Sequence, residues 1–237
     1  MDTSDLSHHI LSRFNADLQG VRSGVLQMGG LVEQQLQDGI KALYSGNGRL
    51  GEEVARLDHK VNAMEVAIDE DCSRILATRG PTASDLRLIV AVIKTITDLE
   101  RIGDEAAKIA RMAKAIHHAE RMSLPRFNEV KYMADLVLEM LRKALDGFAR
   151  LDATKAVEIA RQDKAVDEEF RLNLRHLITF MMEDPRTISV FIDILFVTKA
   201  IERMGDHAKN MSEYVVYMVK GKDVRHISLE EIEKELM

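Results

Sequence analysis

The sequence predicts an all-α protein built as two tandem three-helix bundles related by internal duplication. Apolar residues recur at three- and four-residue steps through nearly the whole chain, which is the repeat of a helix and of no strand. Glycine and proline interrupt that repeat only at a few widely spaced points. A five-residue motif, Glu100-Arg101-Ile102-Gly103-Asp104, returns 102 residues later as Glu202-Arg203-Met204-Gly205-Asp206.

The first stripe runs through Leu11, Phe14, Leu18, Val21, Val25, Met28, Val32, Leu36, Ile40 and Leu43 until Gly46-Asn47-Gly48 breaks it. At 1.5 Å per residue it spans roughly 50 Å, a length typical of a bundle or coiled coil. A second helix carries Val54, Leu57, Val61, Met64, Ile68, Cys72 and Ile75 and stops at Gly80-Pro81. Thr82 and Asp85 have the spacing of a capping box ahead of a third helix from Leu86 to about His117. After Ser123-Leu124-Pro125 the pattern resumes through Val130, Met133, Val137, Met140, Leu141, Leu145 and Phe148, and Asp152 is placed to cap a fifth helix near Ala153. Asp184 and Pro185 then supply a cap and a first-turn proline for a sixth helix reaching about Val219. The tail from Lys220 onward reads as short and peripheral. Asp58-x-x-Val61-Asn62 recurs as Asp163-x-x-Val166-Asp167 at a shift of 105, and Pro81 recurs as Pro185 at a shift of 104. The landmarks divide the chain into residues 1–121 and 122–237, each large enough to form a bundle core.

Composition narrows the function. The 33 Lys and Arg against 39 Asp and Glu give a charge of −6, which provides no background attraction to nucleic acid. No apolar run approaches the eighteen residues of a membrane span, and the first fifteen residues lack the basic start and apolar core of a secretory signal. The expected location is cytoplasmic. Cys72 is the single cysteine, so neither an intrachain disulfide nor a thiolate metal cluster can form, and its place on an apolar stripe marks it as a small buried hydrophobe. Glycine-rich phosphate loops are absent.

The polar residues that break the pattern are acidic. Glu100 and Asp104 lie one helical turn apart, continuing a face whose earlier member Ile93 is apolar, and Glu202 and Asp206 repeat this after Leu195. Two like charges at that spacing cost roughly 0.2–0.5 kcal/mol unless something positive lies between them. A hard or borderline cation would satisfy them, with Glu33 and the pair Asp135 and Glu139 on the first helix of each half as further oxygen ligands. Salt bridges on a solvated face are the alternative, with Lys108 and Lys199 as candidate partners. Asp58, Asn62, Asp163 and Asp167 either join the same sites, line a polar seam or face solvent. Gly103 and Gly205 point to close approach of another helix or of a ligand. His207, directly after the second motif, has either a supporting role at that site or solvent around it. Arg111, Lys114 and Arg121, near the end of the third helix, are suited to an acidic partner or to lipid headgroups.

Met28-Gly29, Asp58-x-x-Val61-Asn62, Pro81 with Asp85-Leu86-Arg87, and above all Leu99-Glu100-Arg101-Ile102-Gly103-Asp104 resemble the PhoU family of bacterial phosphate-transport accessory and regulatory proteins. The resemblance spans about residues 5 to 220. It implies paired three-helix bundles and, as in some members, multinuclear iron or zinc clusters held by acidic motifs, here Glu100/Asp104, Glu202/Asp206 and Asp135/Glu139. Glu33 is a degenerate counterpart whose fourth neighbour is Gln37. Manganese and magnesium remain alternatives, because oxygen-rich sites overlap in affinity. Ser189 stands near where Asp85 would map, so the second half lacks the Asp-Leu-Arg triplet. The family resemblance further implies a homodimeric negative regulator, not an enzyme, linking the ATPase subunit of the phosphate ABC importer to a phosphate-responsive sensor histidine kinase. Its attachment at the inner membrane face would be peripheral and through those partners. Two rivals remain open on sequence, a carboxylate-bridged metal enzyme and a purely structural bundle. The Glu-x-x-His signature of di-iron bundles is missing from the acidic pairs.

Overall fold

The computed structural model describes residues 3–118 and 128–236. The helices are α1 (Thr3–Ser45), α2 (Gly48–Arg79), α3 (Ala83–His118), α4 (Asn128–Arg150), α5 (Lys155–Glu183), α6 (Ile188–Lys220) and α7 (Leu229–Leu236), with one 3₁₀ turn at Pro185–Thr187 before α6. No strand occurs among the described residues. The expected division at residues 121 and 122 and the Ser123-Leu124-Pro125 break lie outside them, as does Arg121.

The turns follow the local chemistry. Gly46 takes the left-handed conformation with φ 64°, and the Asn47 side chain accepts from the N–H groups of Arg49 and Leu50 at the start of α2. Gly80, at φ 55°, closes α2 in the same way. Asp184 accepts from the Arg186 N–H, and Pro185 occupies the first turn. The other two caps differ in detail from their sequence reading. Asp152 accepts from the N–H and hydroxyl of Thr154, forming a turn just before α5 begins at Lys155. The Thr82 turn is closed by Asp85 N–H donating to the Thr82 carbonyl oxygen.

α1, α2 and α3 pack on one another, as do α4, α5 and α6, and the two trios join along α3 and α6 with a smaller contact between α1 and α4. One apolar core runs through both. It takes Val21, Val25, Met28, Val32 and Leu36 from α1 and Ile89, Ile96, Leu99 and Ile102 from α3, and it continues into Val137, Met140, Val197, Ile201 and Met204. Cys72 is fully buried in this core, and burial pushes its thiol up to about 12, the behaviour of an inert packing residue.

The repeated glycines are packing residues. A Cβ on Gly103 would come within 2.9 Å of Gln35 Oε1 and 3.5 Å of Val61, and one on Gly205 within 3.4 Å of Val137 and 3.6 Å of Val166. Each glycine sits where the third helix of its half meets the first and second, so the two trios share one close-packing solution.

The tail departs from its peripheral reading. Val224 and Ile232 are buried and form a second apolar cluster with Ala153, Ala156 and Val216. A reciprocal capping box starts α7: Ser228 N–H donates to the Glu231 carboxylate at 2.8 Å, and Glu231 N–H donates to the Ser228 hydroxyl at 3.3 Å. Replacing Ile232 by alanine removes most of α7's apolar anchorage, at a cost of about 2 kcal/mol. Amide hydrogen exchange should then show α7 opening while protection in α1–α6 is unchanged.

Candidate functional site

In each half the repeated acidic residues of the third helix lie beside acids of the second. In the first half Glu100 and Asp104 on α3 stand near Asp58 and Glu65 on α2. Partial burial and then Asp104, Glu65 and Asp58 hold the Glu100 carboxyl above its ordinary value. Asp58 is raised by burial and by Asp104, and is partly compensated by Gln35, whose Nε2 lies 3.5 Å from its Oδ1. In the second half Asp206 is crowded by protein and then by Glu202, Asp163 and Asp167, which lifts it to about 6. Asp163, buried under α6, is neutralised by Lys209 Nζ at 2.8 Å. Asp58, Asp163 and Asp167 thus belong to the same acidic faces as the third-helix motifs.

The remaining expected ligands are occupied or displaced. Glu33 reaches across from α1 to α4, where it accepts from Arg142 at 2.7 Å, and it also accepts from Gln37 at 3.1 Å. Glu139 pairs with Lys143 at 2.8 Å, which holds its carboxyl below the ordinary value. Glu202 pairs with Lys199 at 2.5 Å, and Asp135 is exposed. Lys108, read as a partner for Asp104, bonds instead to Glu105 at 3.3 Å.

Among the described residues no group of three or more His, Cys, Asp or Glu side chains is arranged to hold a metal ion. This corrects the expected multinuclear iron or zinc cofactor and its manganese or magnesium alternatives. The physical reason is that lysine and arginine side chains from the same or neighbouring helices supply much of the positive charge. The carboxylates left without such a partner do not converge as a ligand set.

Apart from His207, the junction of the two halves holds polar groups that the sequence reading did not single out. Asp98 on α3 is buried and lies 2.7 Å from His207 Nδ1 on α6. Two turns along α3, Glu105 is buried and held by Arg203 of α6 and by Lys108. Tyr214 stands beside Asp98, and burial, followed by that negative charge, raises its phenol above the ordinary value. Lys94 lies over the rings of Tyr214 and Tyr217, 5.4 and 5.7 Å from their centroids. A signal was present in the sequence. Asp98 and Glu105 are seven residues apart on one face of α3, and Arg203 and His207 are four apart on α6. His207, read as either a supporting group at the acidic motif or an exposed side chain, is instead part of this seam.

Helix order and the doubled acidic faces describe one architecture repeated twice and joined at the α3–α6 seam, and comparison with known proteins assigns it. The PhoU domain family model matches residues 25–113 and again residues 130–215, one match in each half. The chain belongs to the PhoU family. It is 48% identical over 237 residues to the "phosphate-specific transport system accessory protein PhoU homolog" of Pseudomonas aeruginosa, covering 100% of this chain and 97% of that protein. It is 46% identical over 236 residues to the "phosphate-specific transport system accessory protein PhoU" of Escherichia coli, with 100% and 97% covered. Among solved structures, PhoU from Pseudomonas aeruginosa superposes with a TM-score of 0.85 at 48% identity, covering 88% of this chain and 100% of that one. The "phosphate transport system regulatory protein PhoU" from Streptococcus pneumoniae superposes with a TM-score of 0.81 at 29% identity, covering 89% and 99%. Among the described residues no helix is long and apolar enough to cross a membrane.

Proposed function

We propose that this chain is a negative regulator of phosphate uptake and of phosphate-starvation signalling, acting by protein–protein contact and performing no reaction of its own. The observation that carries this reading is the match to both halves, with full-length relatives named as accessory proteins of phosphate-specific transport. The partners it calls for are the ATPase subunit of the phosphate ABC importer and a phosphate-responsive sensor histidine kinase, with the chain itself a homodimer at the inner membrane face.

A regulator of this kind works by binding one conformational state of its partner more tightly than another, each tenfold preference being about 1.4 kcal/mol. The two acidic faces suit such a role. Asp104 and Asp206 are exposed, and the crowding around Asp206 is only partly neutralised from within the chain. A basic partner surface would relieve that repulsion. The carboxylate-metal enzyme is disfavoured because the described residues offer no metal-ligating group. In a clean deletion strain, phosphate-starvation genes should be expressed in phosphate-rich medium. Normal repression there would reject the regulatory role.

A further inference from the structure

The internal repeat allows one end of each half to be compared with the other. In the second half the start of α5 and the C-terminal part of α6 form a groove filled by the chain's own tail. Val224 and Ile232 pack there on Ala153, Ala156 and Val216, and Arg161 on α5 pairs with Glu233 on α7 at 2.5 Å. The duplicated motifs fix the correspondence at 105 residues for the second helix of each half and 102 for the third. Ala153, Ala156, Ala160 and Arg161 then map onto Gly48, Gly51, Ala55 and Arg56, and Ser212, Val215 and Val216 map onto Ala110, Ala113 and Lys114. Of these first-half positions, Gly48, Gly51, Ala55, Ala110, Ala113 and Lys114 line an open cavity of about 380 Å³. Among the described residues the first half has no counterpart of α7: the next described element after α3 is α4, which packs on α1, α5 and α6.

We propose that this cavity is a docking groove for a short acidic amphipathic helix of a partner protein, seated as α7 is seated in the second half. Its floor of glycine and alanine admits a helix at close range, as the small residues Ala153 and Ala156 do beneath the tail. Its charge selects the ligand. Arg56 is exposed at the position from which Arg161 holds Glu233, and Arg111 stands where the second half carries the buried acid Glu213. Lys114 replaces Val216 at the edge, and Glu52 is the acid among the lining residues. His117, also in the lining, is engaged with the Leu43 carbonyl oxygen at 2.7 Å. The sequence of α7, Leu-Glu-Glu-Ile-Glu-Lys-Glu-Leu, shows the chemistry that fits: one buried aliphatic anchor flanked by carboxylates. A small anion fits less well, because the Asn47 side chain already accepts from the first free N–H groups of α2.

This inference deepens the contact-regulator reading and rests on it for the ligand being a protein. The test uses the full chain and a fluorescent peptide of its own residues 222–236 as the probe, since the native tail already fills the second-half groove. Saturable one-to-one binding is expected. Arg111→Glu combined with Lys114→Glu should weaken it at least tenfold, as should Ala55→Trp, which plugs the cavity from an exposed position, whereas Arg161→Glu should leave it unchanged. Absence of saturable binding, indifference to both first-half changes, or loss on Arg161→Glu would overturn the proposal. Displacement of the peptide by millimolar inorganic phosphate would make the cavity an anion site and overturn it equally. A peptide that fails to bind, with starvation genes still derepressed on deletion, rejects the groove alone. Normal repression on deletion rejects the regulatory role whatever the peptide does.

Discussion

Replacing His207 by alanine is expected to destabilise the folded chain by about 3 kcal/mol, because it leaves the buried Asp98 carboxylate in the junction between the two halves with Tyr214 but without its imidazole partner. Asp98 is 2% exposed and His207 is its partner at 2.7 Å, so water cannot replace the lost contact without opening the seam between α3 and α6. Urea unfolding should show a lower midpoint with little change in slope. The double variant Asp98→Leu with His207→Leu should recover most of the loss, since removing both members leaves no unpaired charge. A His207→Ala midpoint within error of the parent would show that the pair carries no weight in joining the halves.

The second large effect has the opposite sign. Glu213 on α6 is buried, and burial is the main cause that lifts its carboxyl from an ordinary value of 4.5 to about 7. Lys209 and Arg225 act against the rise, but Asp163 and Asp223 add to it, and Lys209 is already paired with Asp163. Between pH 4.5 and about 7 the folded chain therefore holds a proton that the unfolded chain has released. Stability falls as pH rises through that window and stays at the lower level above it. Glu213→Gln keeps the shape without the charge, so above pH 7 the variant should be the more stable by an amount on the order of 2–3 kcal/mol. It should also lose part of the decline between pH 4.5 and 7. Asp206, lifted to about 6, contributes a slope of the same sign from about pH 4 to 6, weaker because the side chain is exposed and screened. Equal stability of parent and Glu213→Gln at pH 8, with parallel pH profiles, would refute this account.

The helices were readable because each is a local pattern. The stripe from Leu18 to Leu36, the Gly46-Asn47-Gly48 break and the Asp184-Pro185 start all depend on neighbours a few residues away, and the structure places them as read. The repeated glycines were also legible as packing sites, since a glycine kept inside a helix is costly without close approach. The tail was misread although Ser228 and Glu231 have capping-box spacing. Eight residues carry too few apolar positions to announce a helix, and only the waiting surface on Ala153, Ala156 and Val216 makes one stable.

The acidic sites show the other limit. That Glu100, Asp104, Glu202 and Asp206 share repeated helical faces follows from spacing alone. Whether a metal or a side chain answers their charge depends on which helices become neighbours and at what register. Arg142 lies 109 residues from Glu33, and Lys209 lies 46 from Asp163, separations that no local pattern encodes.

By itself the sequence determined six long amphipathic helices, their division into two repeated trios and the membership that the duplicated motif carries, because periodicity, capping and repetition are properties of the chain in order. Tertiary structure alone decided that Glu33, Glu139 and Glu202 meet arginine or lysine while Glu100 and Asp206 are left beside other acids, that Asp98 and His207 bind the halves together, and that one groove is filled by the tail while no described residue fills its twin. Each of those outcomes is set by distances between residues far apart along the chain, and packing, not periodicity, fixes such distances.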